Sequence, residues 1–440
     1  MKKFGPELRL LTSNSRPSNL RSSPCLLKQP GKTQTLFKGR NLGRQVAGLL
    51  SGRVVAAVAQ TCSLVLLARW SSTGDFGLVI AVQAGVTAMA WMLGLGLGPY
   101  MSVVRARDKN HRDVQGIYRL NRFVNSALVA LLCVIVLMTM LWDSRAWWFL
   151  PFVLALGFQR DAAVLNSIAV ADGQTGLFSS NLALRRILAL AIFVAGVLFS
   201  LPVAFAFSLS IAVSEAVCNW RLRRRIDFAP ASKPSVDVRK ILRESKHYWW
   251  DTISGQVRLL DVVVVGFVLG PTASGLLAVP SKIGSPIMMI PTSLATLVLP
   301  KTSAARTFPK RKFILGAGFV TAFIATILLV IAIFIEPLIA LVLGEEFSSA
   351  VPVTLIYFFG FVGLSMIYMV NAAMQGLRRH ALVSRISMTG SLISLAGLWF
   401  GSAYGGLESG AAGYVIGIIF QLTVLTVFWV RIPSRKNEKE

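Results

Sequence analysis

Apolar residues are gathered into runs of about 20 residues, separated by short polar segments. A helix needs about 20 such residues to cross a hydrocarbon core about 30 Å thick. The alternating segments of about ten residues that build membrane barrels do not occur, and open sheets cannot satisfy their backbone groups in lipid. The pattern predicts an all-α polytopic membrane protein with twelve transmembrane helices, over residues 46–68, 76–100, 123–141, 147–170, 178–200, 202–220, 248–269, 273–299, 313–335, 351–376, 384–402 and 410–430.

The composition fits this pattern but raises a question about charge. Of 440 residues, 54% are hydrophobic and 15% charged, and the mean hydropathy is +0.64, which excludes an ordinary soluble enzyme. The chain has 45 Lys and Arg against 19 Asp and Glu, a formal charge of +26. In a soluble protein this excess would indicate nucleic acid. Here we expect no nucleic-acid partner and interpret the excess against the bilayer.

The basic residues are distributed unevenly between the two sides of the predicted spans. If the N-terminus is cytoplasmic, the inner segments hold 10, 6, 2, 9, 5, 3 and 4 Lys and Arg, 39 in all. The outer loops hold two, Arg69 and Arg145, and four more lie inside spans. This bias predicts that both termini are cytoplasmic.

The polar segments also predict the domain organisation. We expect a disordered basic cytoplasmic tail over residues 1–42. Two alternatives are a transit peptide, which this composition resembles, and a start codon assigned too far upstream. An N-lobe of six spans follows over 43–222, and a C-lobe of six spans over 247–432. The basic cytoplasmic linker 223–246 ends in mixed apolar and basic residues, which predicts an interfacial helix. Residues 433–440 form a second cytoplasmic tail.

A weak internal repeat relates the two lobes. A shift of 198 residues places Gly77-Leu78 on Gly275-Leu276, at the starts of the second and eighth spans. An even number of spans between equivalent positions predicts parallel repeats related by a pseudo-two-fold axis along the membrane normal. Transporters built in this way have their binding site between the halves.

Charged residues inside the spans are the candidate site. An ionisable group deep in the membrane costs at least about 2.5–3.5 kcal/mol on insertion scales and usually faces a cavity or a partner. Arginine and lysine are also the side chains that bind phosphate groups. We predict that the substrate-binding residues are Arg53, Arg160, Arg258, Lys282 and Gln60. The predicted ion-pair or coupling residues are Asp161, Asp251, Asp261 and Glu215.

The seventh span carries the clearest polar pattern. On a straight helix one face would hold Asp251, Ser254, Gly255, Arg258 and Asp261, and this face is predicted to line the cavity. Ion pairing is the alternative for these charges.

The possible pairs are Arg258 with Asp261, Arg53 with Asp251, and Arg160 with Asp161. Asp261 is interpreted as orienting Arg258, with proton carriage as the alternative. Three glycines inside the second span, Gly94, Gly96 and Gly98, are interpreted as sites of close helix packing.

Several short segments together resemble a known family. Ala68-Arg69-Trp70, followed by Gly74-Asp75-Phe76-Gly77-Leu78, resembles the first-loop signature of bacterial polysaccharide flippases. These belong to the multidrug/oligosaccharidyl-lipid/polysaccharide exporter superfamily. The order and spacing of the segments carry the resemblance, over residues 43–430. The other segments are Leu93-Gly94-Leu95-Gly96-Leu97, Leu260-Asp261, Gly275-Leu276-Leu277-Ala278, Leu299-Pro300, Gly344-Glu345-Glu346-Phe347 and Gln375-Gly376.

The resemblance implies a fold and a function. It implies two six-helix lobes that form a V around a central cavity, in a bacterial plasma membrane. The implied cargo is an undecaprenyl-diphosphate-linked oligosaccharide, moved from the inner to the outer leaflet by alternating access for polysaccharide biosynthesis. Membrane lipid, a polysaccharide polymerase and glycosyltransferases are the implied partners.

Two other functions stay open at this point. One is a multidrug or cation antiporter of the same superfamily, and the other is a non-transporting scaffold of a polysaccharide-assembly complex. The sequence has no P-loop and no nucleophile–base set, and its four cysteines lie far apart. We therefore expect no enzyme activity, no cofactor and no metal.

Overall fold

The computed structural model describes residues 39–107, 112–226, 237–304, 310–377 and 379–431. Most of the predicted N-terminal tail, the middle of the linker and the C-terminal tail 433–440 lie outside these ranges. The described residues form α-helices, short 3-10 segments and turns, and no strand. The helices are α1 (Gly39–Trp70), α2 (Thr73–Met92), α3 (Leu97–Arg107), α4 (Arg112–Thr139), α5 (Leu150–Ala171), α6 (Thr175–Leu198), α7 (Val203–Arg225), α8 (Val238–Gln256), α9 (Asp261–Leu269), α10 (Pro271–Ala304), α11 (Lys310–Ile333), α12 (Ile335–Val342), α13 (Val351–Gly376) and α14 (His380–Arg431).

The helices confirm the prediction of an all-α membrane protein. In the described part of the chain, eleven stretches are long and apolar enough to cross a membrane. The last of them, Ala381–Arg431, is 51 residues long and is interrupted at Gly406, which has φ 77° and ψ −168°. Each part has about 25 residues, enough for one crossing. Counting the two parts separately is compatible with the twelve crossings that the hydropathy pattern predicts.

Turn residues at the helix ends follow local chemistry. Ser72 caps α2, because its hydroxyl oxygen accepts a hydrogen bond from the backbone N–H of Asp75 at 3.2 Å. Asp75 itself lies in the first turn, where a negative charge is favourable.

The second predicted span, 76–100, is broken in the structure. Helix α2 ends at Met92 and α3 begins at Leu97, with Leu95 (φ 54°) and Gly96 (φ 64°) in left-handed conformations between them. Gly96 packs closely, as predicted, because a Cβ there would lie 2.8 Å from the carbonyl carbon of Tyr248. It also occupies a helix break, which the packing interpretation did not foresee.

The seventh predicted span is broken as well. Helix α8 ends at Gln256, a 3-10 segment runs over Val257–Leu260, and α9 begins at Asp261. A 3-10 helix turns about 120° per residue, against about 100° in an α-helix. Residues three apart are eclipsed in a 3-10 helix, so the break does not by itself separate Arg258 from Asp261. That this face lines a cavity stays a prediction.

The two sequence halves meet where α2 crosses α10. A Cβ on Gly77 would overlap the Pro271 carbonyl oxygen, and one on Gly275 would lie 2.5 Å from the carbonyl oxygen of Thr73. The repeat offset relates Gly77 to Gly275 and Thr73 to Pro271, so these contacts are reciprocal. Reciprocal contact is what a two-fold relation produces. The large buried core of the protein surrounds this crossing and includes residues of both helices.

Two further sets of contacts join the halves, one on each side of this crossing. In the Arg69 seam, Arg69 donates to the carbonyl oxygens of Leu341 and Val342, the latter at 3.0 Å. The Thr73 hydroxyl donates to Glu346 at 3.2 Å, and the rings of Phe76 and Phe347 meet edge to face.

The second set, the α8 seam, joins α8 to the C-terminal end of α2, to α3 and to the N-terminal end of α4. Lys240 pairs with Asp113 at 3.0 Å, Glu244 accepts from the Tyr100 hydroxyl, and the Trp249 indole donates to the carbonyl oxygen of Met92. In the described residues, the two halves of the chain are therefore in contact at both the Arg69 seam and the α8 seam.

Candidate functional site

The deep acids of the first half are paired with arginines. Asp161 on α5 is buried and accepts two hydrogen bonds from Arg223 of α7, at 2.6 and 2.9 Å. Glu215 on α7 is also buried and forms an ion pair with Arg185 of α6 at 3.0 Å. Both pairs tie neighbouring helices together. Asp161 thus pairs with Arg223, not with its neighbour Arg160 as one alternative proposed.

Two basic residues lie deeper than the charge count assumed. The two cations assigned to the third inner segment are Arg185 and Arg186, and the structure places both inside α6. At about 1.5 Å per residue, Arg186 lies about 16 Å along the helix from Thr175. That assignment was therefore wrong, because the pair belongs to the interior charges of the protein.

Arg186 faces a small pocket inside the first half of the chain. Gln60, one of the predicted site residues, lies in the same pocket. Arg186 and the two glutamine amides can donate hydrogen bonds into the pocket, whereas the serine hydroxyls of the lining donate to backbone carbonyls of their own helices. This mixture of donors and acceptors suits a hydroxyl-rich or anionic ligand. The lining residues are Gln60, Ser63, Leu64, Gln83, Arg186, Ala189, Phe207, Ser210 and Ile211.

Arg160 is the most deeply enclosed of the predicted cations. Its side chain is 4% exposed, and neither terminal nitrogen has a hydrogen-bond partner among the described residues. One of these nitrogens lies 3.8 Å from the Cβ position of Gly94, in the break between α2 and α3. The C-terminal end of α2 carries a partial negative charge, which offsets part of the cost of burying the guanidinium.

Arg258 lies in the 3-10 segment and is held by neutral groups of α14. Its Nε donates to the Ser391 hydroxyl at 3.1 Å, and a terminal nitrogen donates to the side-chain oxygen of Gln421. Gln421 in turn donates to Ser387 at 3.3 Å, and Asn371 donates to the same hydroxyl at 3.3 Å. In the described structure the guanidinium therefore donates its hydrogen bonds to neutral groups rather than to Asp261.

Asp261 and Lys282 form the remaining charged group of the second half. The Asp261 carboxylate is buried at the start of α9 and accepts from the backbone N–H of Val262 at 2.8 Å. Lys282 on α10 lies within electrostatic range of Asp261 and also of Arg186. Arg186 belongs to the first half and Lys282 to the second, so each half contributes one of these two cations.

Two predicted residues are not joined to this group. Arg53 lies at the start of the first span, half-buried, and forms no ion pair or hydrogen bond with any residue that the structure describes. The side chain of Asp251 lies outside the described part of the structure, so the pairing of Arg53 with Asp251 stays a prediction.

Sequence reasoning missed several residues around the predicted ones. Arg186 carried a signal, because two adjacent arginines stand inside the predicted span 178–200. Ser387, Ser391 and Gln421 carried none, since neutral polar residues in apolar runs are common and their spacing does not reveal which helix faces Arg258.

The interior described by the structure is strongly electropositive. After the pairs with Glu215 and Asp161, five interior cations face one described acid, Asp261. Such an interior can bind a polyanion by charge-assisted hydrogen bonds from Arg and Lys. No three His, Cys, Asp or Glu side chains in the described ranges are close enough to hold a metal ion. The five cations are Arg53, Arg160, Arg186, Arg258 and Lys282.

Solved structures resemble this fold over most of its length. The lipid II flippase MurJ in an inward closed conformation matches with a TM-score of 0.66 and 12% identity, over 87% of this chain and 87% of that chain. The MATE transporter VcmN of Vibrio cholerae, in its bent form, matches with a TM-score of 0.63 and 15% identity, over 89% of this chain and 96% of that chain.

A third match is a MOP superfamily transporter from Pyrococcus furiosus, whose binding pocket is described as having reverse polarity. Its TM-score is 0.64 at 16% identity, over 92% of this chain and 98% of that chain. At such identities these likenesses establish the fold alone.

No curated protein matches the chain significantly. The model of the polysaccharide biosynthesis protein family matches residues 42–304, more than half of the sequence. The chain therefore belongs to the polysaccharide biosynthesis protein family. It is a multi-pass membrane protein whose fold is similar to that of these solved transporters and flippases.

Proposed function

We propose that the protein moves an undecaprenyl-diphosphate-linked oligosaccharide from the inner to the outer leaflet of a bacterial plasma membrane. The diphosphate and sugar enter an electropositive cavity between two lobes, residues 43–222 and 247–432, while the lipid tail stays in the bilayer. Both chain termini are cytoplasmic in this proposal, as the distribution of basic residues predicts. The cargo would be supplied by glycosyltransferases and used by a polymerase.

The surplus of interior cations carries the proposal. Five cations face one described acid, whereas the cationic cargo of a drug antiporter would need the opposite balance. Arg186 and Lys282 come from different halves and lie within electrostatic range of each other. Two cations within electrostatic range of each other repel, and an anion bound between them would relieve this repulsion. A diphosphate has the charge to neutralise both.

The hydrogen-bonding groups fit a diphosphate carrying a sugar. Arg186 opens into a pocket with the amides of Gln60 and Gln83 and the hydroxyls of Ser63 and Ser210. The two amides can donate to sugar hydroxyls, and the guanidinium can bind phosphate oxygens. The two serine hydroxyls donate to the backbone carbonyls of Ala59 and Phe207, so towards a sugar they act as acceptors.

The two seams supply the gates for alternating access. The Arg69 seam would have to open to release the headgroup outside, and the α8 seam would have to open to admit it from the cytoplasm. Transport of a dianion out of a negative interior gains about 2.3 kcal/mol per charge per 100 mV of membrane potential. Coupling to an ion through Asp261, Asp251 or Glu215 would add to this driving force.

The proposal is tested by neutralising one interior cation from each half. Arg186→Gln and Lys282→Gln should each reduce surface polysaccharide about tenfold or more, because each removes a charge-assisted contact to phosphate. Lipid-linked repeat units should accumulate in the inner leaflet. Arg311→Gln is the matched control, since Arg311 is exposed at the start of α11 and far along the chain from the site. Normal export by both interior variants at normal protein level would contradict the proposal.

A second candidate, a cation antiporter of the same superfamily, is favoured by one observation. Asp261 is a buried interior acid with no arginine paired to it in the described structure, and several solved structures with this fold are multidrug transporters. In that case Asp261→Asn would abolish efflux of lipophilic cations, while Arg186→Gln would leave it unchanged or raise it. Efflux of a fluorescent cation from cells distinguishes the two functions.

A further inference from the structure

Helix α8 presents two different faces. One face packs on the first half of the protein through Ile241 and Ser245, which are buried, and through the α8 seam. The opposite face is exposed and spans about 140° of the helix at 100° per residue. Its members are Val238, Arg239, Leu242, Arg243, Lys246 and Trp250.

This exposed face has the composition of a bilayer-contacting surface. This face combines three cations with three large apolar side chains, and Glu244, one of the two acids of the helix, bonds to Tyr100 of the first half instead. None of Arg239, Arg243 and Lys246 forms an ion pair with a residue that the structure describes. A face exposed only to water has no need of Val238, Leu242 and Trp250, of which Trp250 is 47% exposed.

The positions along α8 match the depth of lipid headgroups. The apolar span begins at Tyr248, which places Trp250 at the edge of the hydrocarbon core, where tryptophan is enriched. Lys246 and Arg243 lie about 3 and 8 Å further out at 1.5 Å per residue. The headgroup layer is about 5–8 Å thick on each side. Both cations therefore stand at the level of lipid phosphates.

We infer that the exposed face of α8 binds anionic phospholipid headgroups of the leaflet into which α8 enters. This leaflet is the inner one if the termini are cytoplasmic. The lipid phosphates neutralise Arg239, Arg243 and Lys246, while Val238, Leu242 and Trp250 insert among the acyl chains. The lipid and the first half then hold α8 from opposite sides. Because α8 leads into the 3-10 segment that carries Arg258, this lipid contact also fixes the entrance of the seventh span.

The test measures binding of phosphatidylglycerol to the full chain by native mass spectrometry, with phosphatidylcholine as the neutral reference. The variant R239Q/R243Q/K246Q should bind phosphatidylglycerol about 100-fold more weakly at low salt, since each surface charge contributes about 1 kcal/mol to such binding. Lys246→Gln alone should lose about fivefold. Binding of phosphatidylcholine should not change.

The matched control removes the same charge elsewhere. R225Q/R311Q/K312Q neutralises three exposed cations at the ends of α7 and α11 and should keep wild-type binding. Equal losses in the two triple variants would overturn the inference, because lipid binding would then follow net charge alone. An unchanged R239Q/R243Q/K246Q variant would also overturn it.

A competition experiment identifies the source of the phosphate. Farnesyl diphosphate should not displace phosphatidylglycerol from this face, because the inference assigns it to the bulk lipid. Displacement at concentrations comparable to those of the lipid would assign the face to a prenyl diphosphate and overturn the inference.

The thermal midpoint of R239Q/R243Q/K246Q should equal that of the wild type, since these side chains form no ion pair with a described residue.

Discussion

The two halves of the protein treat their buried charges differently. In the first half, Asp161 and Glu215 are each paired with an arginine of a neighbouring helix. In the second half, Arg258 is held by Ser391 and Gln421, which are neutral. An ion pair between helices neutralises both charges, whereas neutral partners orient a cation and leave its charge available.

This difference distinguishes charged residues that hold helices together from cations that remain available to a ligand, although both kinds look alike in sequence. The first half uses its deep acids to fasten α5, α6 and α7 together, and its interior cations outside these described pairs are Arg53, Arg160 and Arg186. The second half positions Arg258 by hydrogen bonds, and its Lys282 lies within electrostatic range of Arg186. The unpaired cations from both halves are therefore the ones that can meet an anionic cargo.

The largest effect is expected from Glu215→Gln. The substitution leaves Arg185 buried without a counter-charge, because the Arg185 side chain is only 15% exposed. Breaking a buried pair in this way costs about 3–5 kcal/mol, measured as a lower thermal midpoint and a lower amount of folded protein. The double variant R185Q/E215Q should lose less. If Glu215→Gln leaves stability unchanged, the distinction between structural and available charges fails.

Arg258→Gln should show the opposite behaviour. It removes a cation held by neutral groups, so the thermal midpoint should change little, while export of polysaccharide should fall about tenfold or more. Surface polysaccharide and lipid-linked repeat units are measured together with the amount of membrane-inserted protein. A large loss of stability with normal export per molecule would show that Arg258 is structural.

The crossing of α2 and α10 tests whether the halves are equivalent where they touch. Gly77→Ala and Gly275→Ala should each destabilise the protein by about 1–3 kcal/mol, because each new methyl group meets the backbone of the other half. Gly74→Ala is the control, since its nearest neighbour beyond the adjoining residues lies 3.5 Å away. Clearly unequal effects of the first two variants on thermal unfolding would contradict a two-fold relation at the crossing.

The smallest effect is expected from Asp113→Asn in the α8 seam. The hydrogen bond from Lys240 to Asp113 raises the pKa of Lys240, and burial together with the bond to Glu244 raises the pKa of Tyr100. For both groups the stabilisation is complete below the ordinary pKa and is lost as pH rises through the higher folded-state pKa. Because the Lys240 side chain is 42% exposed, its ion pair contributes less than about 1 kcal/mol.

The Lys240–Asp113 pair in this seam is therefore a more exposed counterpart to the buried Glu215–Arg185 pair. Thermal unfolding of Asp113→Asn and wild type should coincide within about 1 kcal/mol near neutral pH. The wild-type seam should weaken above about pH 10, which is the ordinary range of lysine and tyrosine. Labelling of a cysteine placed at the seam measures its opening. A seam that tightens as pH rises would contradict the roles of Lys240 and Tyr100.

The fold was predictable because the bilayer imposes a simple rule on sequence. Each crossing needs about 20 apolar residues, so the predicted span 248–269 agrees with the observed stretch Tyr248–Leu269. The break at residues 93–96 had a partial signal in its glycines. The 3-10 segment Val257–Leu260 had none, because its residues are good helix formers or neutral in that respect, and packing against other helices decides its conformation.

The sequence by itself determined the class of the protein, its membrane crossings and the electropositive character of its interior, because hydropathy and charge are summed along the chain. Only the tertiary structure decided which charged side chains are neutralised by an ion pair and which are held by neutral groups. Asp161 binds Arg223 rather than its neighbour Arg160, and Arg258 binds α14 rather than the nearby Asp261. Pairing depends on which helices lie side by side and how each is rotated, and residues more than 60 positions apart in sequence meet only after the helices have packed.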